Sequence, residues 1–298
     1  MSLTLKQFRR RKILKKILCI LNDKLYLKIM HLKRTGKNLS FKNPITFSEK
    51  MQCIKVYGRN PLMTIACDKY RVREYLEDKL PSSMFNKLLW VGERGENIPF
   101  DDLPNSFIIK AAHGSGCNIL VNNKNTVDKN SIVRMTTEWL KTNYYIFERE
   151  WCYKNTKPKI IIEELLKSNN GKGFMDYKYF VLNGKVRMIM VQKDRDESGK
   201  RKENLYDESG KQYKFNLGYE PFKYNLPPEY NTMYKIAEML AKPFDFVRID
   251  FLFVNKRIYF GEFTFFSDGG YEIFKPKNEY FDYYDTYFGK LLEINRQN

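Results

Sequence analysis

Apolar and polar positions run along this chain with two periods. From Leu5 to Leu32 apolar residues (Ile13, Leu14, Ile17, Leu18, Leu21, Leu25) recur close to helical spacing with lysines between them, which predicts a basic helix ended by Gly36. Its apolar side either packs on the body of the protein or rests on an anionic membrane surface. Residues 41–80 read as helices broken at Pro44, Gly58 and Pro61, with a Thr46–Glu49 capping box and a charged second helix over Asp68–Leu80. Beyond that the period shortens. Leu88–Val91, Phe107–Lys110, Asn118–Val121 and Lys159–Leu166 read as strands, with a helix over Val127–Tyr145. Tyr177–Leu182 and Lys185–Gln192 read as a hairpin about Asn183-Gly184, a dipeptide that tolerates positive φ. Residues 194–228 read as a long polar loop and Tyr230–Leu240 as a helix. Phe246–Val254 and Arg257–Thr264 read as a second hairpin, then come the turn Ser267-Asp-Gly-Gly270 and a helix over Tyr280–Ile294. The pattern is α+β, without an internal repeat.

Composition narrows the classes. The 298 residues are 43% hydrophobic and 15% aromatic, enough for a sizeable core and too aromatic for a disordered chain. Mean hydropathy is −0.57 and no run approaches the roughly 18–20 apolar residues of a spanning helix, which excludes a polytopic membrane protein. The N-terminus lacks the h-region and cleavage site of a secretory signal. The five cysteines are odd in number and form no CxxC pair, so a reducing compartment is expected and a disulfide framework or zinc site is not. Net charge is +18, and residues 1–34 hold eleven Lys and Arg against Asp23 alone, a net of +10. This suits a solvated helix packed on the body as well as one resting on an anionic membrane surface; nucleic acid is not expected as a partner.

Three segments carry chemistry. Lys110 closes an apolar strand and is followed by His113-Gly-Ser-Gly116, a pattern suited to phosphate: glycine lets the backbone approach, N–H groups face the anion, and the ammonium neutralises it. The spacing is neither a Walker A loop nor a dinucleotide fingerprint, and a plain hairpin turn also explains Gly114 and Gly116. Arg248 and Asp250 share one face of a strand, as do Glu262 and Thr264 on its partner, and pairing brings Asp and Glu side by side. Two carboxylates and a hydroxyl suit Mg²⁺ shared with phosphates; solvent-facing acids with Arg248 salt-bridged to one are the plainer reading. Ile160–Leu166 is an apolar strand ending at Glu163, either a plain sheet edge or a presenter of backbone and carboxylate to an adenine amino group, and Lys178 follows in Asp176-Tyr-Lys178. His113 is expected to orient structure or substrate. No cysteine sits in a nucleophile arrangement.

The order Lys–Gly loop, strand ending in Glu, Asp-x-Lys, then Arg-x-Asp with a Glu twelve residues past the Asp resembles the ATP-grasp superfamily. Thr264 departs from the usual Asn of its metal trio. A narrower resemblance, from about residue 40 to 292, is to the TupA-like ATP-grasp family of bacterial surface-polysaccharide clusters. Phe41–Lys50, Cys67-Asp-Lys-Tyr-Arg-Val-Arg73, Leu103–Lys110, Asp176–Phe180 and Tyr259–Thr264 carry it.

The resemblance implies two α+β subdomains clamping ATP, preceded by the basic helical segment. The expected divisions are 1–40 for that segment, 41–95 for a helical substrate region, 96–158 for a small lid and 159–298 for a large subdomain with the metal site. It implies an ATP-dependent carboxylate–amine ligase acting through an acyl phosphate. The expected substrates are a sugar acid of a capsular or other surface polysaccharide and an amino acid or amine. The expected place is the cytoplasm, at the inner face of the membrane. Lys69, Lys110 and Lys178 then neutralise phosphate, and Glu163 and Leu166 flank adenine. Backbone N–H groups of Gly114, Ser115 and Gly116 cover the terminal phosphates. Asp250, Glu262 and Thr264 hold Mg²⁺ or Mn²⁺, and Arg248 stabilises charge at the tetrahedral carbon. Gly269 and Gly270 lie where the acyl or acceptor substrate sits, and His113, beside the phosphate loop, orients structure or substrate. The competing readings are a kinase or glycosyltransferase-type enzyme acting on a surface glycan, and a basic module binding membrane or nucleic acid.

Overall fold

The computed structural model describes residues 5–9, 12, 20–169, 174–193, 201–215, 217–272 and 280–295. Most of the apolar seam expected between Ile13 and Leu18 therefore lies outside the described residues. The expected single helix is interrupted. Residues 5–9 are helical, Leu21 and Asn22 are not, and a fresh helix α1 (Asp23–Thr35) begins where the Asn22 side chain accepts the Leu25 N–H at 3.0 Å. Gly36, at φ 76°, ends it.

The chain forms two compact units, each discontinuous in sequence: 1–26 with 61–166, and 27–60 with 167–298. The first unit holds the short helices α3 (Leu62–Ala66) and α4 (Arg71–Tyr75) and the helices α5 (Lys129–Leu140) and α6 (Tyr145–Glu148). Asp68 starts α4 by accepting the backbone N–H groups of Tyr70 and Arg71, and the expected helix over Asp68–Leu80 shrinks to this single segment followed by turns. Its sheet is antiparallel in the order β1 (Leu88–Gly92), β4 (Ile160–Glu164), β2 (Phe107–Ala111), β3 (Asn118–Val121). Because β4 pairs with β1 on one side and β2 on the other, it belongs to this unit and not to the span from 159 onward. Asp128 caps α5, whose buried Ile132 and Trp139 face the core beside β2.

The second unit holds α1 from Leu27 on, α2 (Phe47–Tyr57), α7 (Glu229–Ala241) and α8 (Phe281–Leu291). Its sheet is antiparallel in the order β7 (Lys202–Tyr206), β6 (Lys185–Lys193), β5 (Met175–Leu182), β8 (Phe246–Val254), β9 (Arg257–Thr264). β5 and β8 are central and largely buried, and α7 covers the sheet with Met233, Ala237 and Leu240. Asn183 and Gly184 have φ 48° and 75°, the left-handed pair a two-residue hairpin turn needs. β7 lies in the stretch read as loop. Leu205 and Tyr206 are buried, but polar contacts do much of the ordering: Gln192 donates to Glu203 at 2.6 Å, and the Asn204 amide bonds Tyr206 Oη and both backbone groups of Phe222. Hydropathy has no means of detecting such a strand.

The Thr46–Glu49 capping box starts α2 as expected. Asp285 of α8 accepts the Ser48 N–H and hydroxyl at 2.7 Å each, and Lys50 caps α8 by donating to Gly289 O and Leu292 O. The two helices touch at Gly289, where a Cβ would meet Ile45 O at 2.3 Å.

Candidate active site

In the first unit the charged residues sit at the end of β2 and β4. Lys110 and Ile108 share a face of β2, and Glu163 stands opposite Ile108, so Lys110 and Glu163 are diagonal neighbours. Lys110 Nζ donates to Glu163 Oε2 at 2.6 Å, and Arg73 Nη2 donates to Glu163 Oε1 at 2.5 Å. Burial alone would raise the Glu163 carboxyl. The Lys110 ammonium and the Arg73 guanidinium outweigh it and hold the group below the ordinary glutamate range. Both carboxylate oxygens are therefore engaged, which the reading of Glu163 as an adenine-facing carboxylate did not anticipate. Leu166 is half-buried two residues past the strand.

The loop after β2 is held from behind. Lys69 N donates to Ala112 O at 3.0 Å and its Nζ to Gly114 O at 2.9 Å. Gly114 lies against Tyr144, where a Cβ would come within 2.6 Å of the ring, and Gly116 has φ 71°. Ser115 and Gly116 are exposed. His113 is 1% exposed, with Nε2 at 2.9 Å from Trp139 O and Nδ1 at 3.3 Å from both Lys159 N and Lys159 O. Burial pushes it below the usual histidine value, so the ring is neutral, with Nε2–H donating to the carbonyl and Nδ1 accepting the Lys159 N–H. It braces the loop through the Trp139 and Lys159 backbone.

In the second unit a buried charge cluster spans β5, β8 and β9. Asp250 pairs with Lys178 across β5 and β8 and with Glu262 across β8 and β9. Lys178 Nζ donates to Asp250 at 2.9 Å and Asp176 at 2.6 Å. Burial would lower Lys178, but Asp176 and Asp250 reverse that and hold it above the ordinary lysine range. Arg248 grips Asp250 side-on, Nε to Oδ1 and Nη2 to Oδ2, both 2.7 Å. Its Nη1 donates to Ser267 Oγ and to Glu272 at 2.6 Å, and Nη2 also donates to Thr264 Oγ1 at 3.1 Å. All five guanidinium donors thus have protein acceptors. As it stands Arg248 offers charge and no spare hydrogen bond. Burial pushes Asp250 up, yet a bidentate guanidinium and an ammonium on one carboxylate keep it ionised at neutral pH.

Glu262 is the looser carboxylate, 3.7 Å from Arg248 Nη2 and 34% exposed at its side chain. A bulge aims it: Asp250 pairs with Glu262 and Phe251 with Phe260, leaving Gly261 as the extra residue. A Cβ on Gly261 would lie 2.9 Å from Asp250 O, so this position requires glycine. For Mg²⁺ the hard oxygen donors of Glu262 and Asp250 fit. A carboxylate has about four lone-pair sites, and three of those on Asp250 serve Arg248 and Lys178. Thr264 Oγ1 donates to Glu262 at 3.3 Å and accepts from Arg248, so it orients Glu262 and is tied to that task. Among the described residues no three His, Cys, Asp or Glu side chains converge on one metal position. Gly269 and Gly270 are buried at φ 67° and 86°. Lys55 and Gln52 of α2 donate to Gly269 O at 2.8 and 3.2 Å, and a Gly270 Cβ would press on Met51 and Gln52 at 2.9 Å. Close packing on α2 by itself accounts for both glycines.

Sequence reasoning gave no role to Arg73, Gly261, Ser267 or Glu272. Arg73 was visible as part of the Cys67–Arg73 motif, and the others follow no periodicity that distinguishes them.

A family model described as TupA-like ATPgrasp matches residues 49–292. No curated protein matches the chain. Among solved structures, the ATP-grasp ligase PsnB complexed with a phosphomimetic variant of its minimal precursor, Mg and ADP is similar at 12% identity and TM-score 0.41, covering 69% of this chain and 52% of its own. The D-alanine–D-alanine ligase of Bacillus anthracis is similar at 17% identity and TM-score 0.39, with 67% and 57% covered. That of Helicobacter pylori is similar at 11% identity and TM-score 0.39, with 77% and 62% covered. The chain spans little more than half the length of the first two.

Proposed function

Because the chain belongs to the TupA-like ATP-grasp family, we propose that it is an ATP-dependent carboxylate–amine ligase of cell-surface polysaccharide synthesis. ATP transfers its γ-phosphoryl group to a carboxylate, giving an acyl phosphate and ADP. An amine attacks the acyl carbon, phosphate leaves with its electron pair, and an amide forms. The carboxylate is that of a sugar acid, and the amine is an amino acid or a small amine. The observation that carries the reading is the buried Lys178–Asp250–Arg248 cluster with Glu262 in register beside it. Burying three charges is costly even when they are paired, and a site that stabilises developing charge has a use for the field they create.

Lys110 and Lys69 bring positive charge to the phosphates, and the exposed Ser115–Gly116 backbone covers them. Lys178 balances the charges of Asp176 and Asp250. Glu262, with Asp250, would hold Mg²⁺, which would supply charge neutralisation at the phosphates. Arg248, locked by Ser267, Glu272 and Asp250, supplies a fixed positive field toward the acyl centre. The Leu165–Leu166 segment beyond β4, and not the Glu163 carboxylate, flanks the adenine. The basic N-terminal segment keeps the enzyme at the inner, anionic face of the membrane, where lipid-linked glycans are assembled.

Incubation with ATP, Mg²⁺, hydroxylamine and a panel of uronic acids tests the reaction. A hydroxamate, formed with stoichiometric ADP and only when a carboxylate is present, is the expected product. A phosphorylated sugar stable to hydroxylamine identifies a kinase instead.

A further inference from the structure

Helix α1 has two faces of different character. Tyr26, Leu27 and His31 are buried, the Tyr26 hydroxyl donates to Phe147 O at 2.9 Å, and Tyr271 Oη lies 3.3 Å from His31 Nδ1. On the opposite side Leu25, Ile29 and Leu32 are 45%, 48% and 49% exposed. At about 100° per residue these three fall within an arc of about 60°. Lys24 and Lys28 flank the stripe on one side and Lys33 on the other, all exposed. Ile20, one turn before the helix, is 89% exposed. Four of the ten large apolar side chains exposed among the described residues therefore lie within 20–32, and no other described helix carries three of them.

We propose that the Leu25–Ile29–Leu32 stripe, with Lys24, Lys28 and Lys33, is the surface that docks on anionic phospholipid. This deepens the membrane placement given above and rests on it. The apolar side chains enter the boundary between headgroups and acyl chains, and the lysines on either flank meet headgroup phosphates and carboxylates. Charge selects this occupant. In a two-fold dimer through the same face, each lysine row would oppose its own copy. A nucleic-acid backbone would satisfy the lysines and leave the apolar stripe in water. The sequence places the lipid-facing positions from Ile13 to Leu25; among the described residues the stripe lies on α1, after the break at Asn22.

The test uses full-length protein and vesicles of phosphatidylcholine with or without 30% phosphatidylserine, read by co-sedimentation. Wild type should bind the serine-containing vesicles in 0.1 M salt and release in 1 M salt. It should bind phosphatidylcholine alone at least tenfold more weakly. Leu25→Ser/Ile29→Ser/Leu32→Ser should lose at least tenfold in partitioning, and Lys24→Glu/Lys28→Glu should lose a comparable factor, both with unchanged melting temperature. Wild-type binding that survives the triple substitution overturns the proposal, as does equal binding to both lipids or to neither. A dimer in analytical ultracentrifugation that the triple substitution dissolves assigns the stripe to a second copy and also overturns it. Vesicle binding is read without ATP, so failure of the ligase reading leaves this result intact.

Discussion

Glu163 and the two histidines show how single side chains here are fixed by their partners. Removing one partner of a buried pair costs roughly 3–5 kcal/mol. Lys110 and Arg73 keep 23% and 21% of their side chains in contact with water, which discounts the figure to about 1–3 kcal/mol. Glu163→Ala should therefore lower stability by that amount in denaturant titration. It should not convert the enzyme from ATP to GTP, because the carboxylate is already spoken for by two cations. His31 and His113 are both pushed down by burial. A group with a depressed folded pKa binds its proton more readily unfolded, so its stabilising effect is complete above about pH 6.5 and drains away as pH falls through the lowered value. Melting temperature should be level from pH 8 to 7 and fall as pH drops below about 6.5. His113→Gln should flatten that slope by one proton.

At the scale of elements, the β8–β9 hairpin is where local geometry and chemistry meet. Gly261→Val would drive a side chain into Asp250 O and straighten the bulge that seats Glu262 beside Asp250. Overpacking of this kind costs about 1–3 kcal/mol. ADP formation should drop by a larger factor than the folded fraction does, measured on protein still folded at the assay temperature. The sequence made much of this hairpin legible: both strands fall at the expected residues, since Val247, Ile249 and Phe251 alternate with Arg248 and Asp250, and the Asp250–Glu262 pairing follows from the register. What stayed hidden has a common cause. β7 is held by the Asn204 and Glu203 side chains, the Asp68–Leu80 helix ends early in turns, and Arg248 finds Glu272 and Ser267 through tertiary approach alone. Periodicity reports which face is apolar; it does not report which polar atoms meet after the chain has turned.

For the molecule as a whole, each unit is assembled from separated stretches of chain. The second unit depends on α2 meeting α8 through Gly289. Gly289→Ala should cost at least 1–3 kcal/mol, because the added methyl would sit 2.3 Å from Ile45 O and part the helices. A lower unfolding midpoint in denaturant titration is the expected reading. The Ser48–Asp285 contact that locks these helices joins residues 237 positions apart. A ribosome adding about 5–20 residues per second needs roughly 12 to 50 s to make that stretch. For that interval the apolar side of α2, with Phe47, Met51 and Ile54, has been synthesised and its covering helix has not. The newborn chain thus passes through a long window of vulnerability, and the rate of translation across residues 49–284 becomes a determinant of how much protein escapes aggregation.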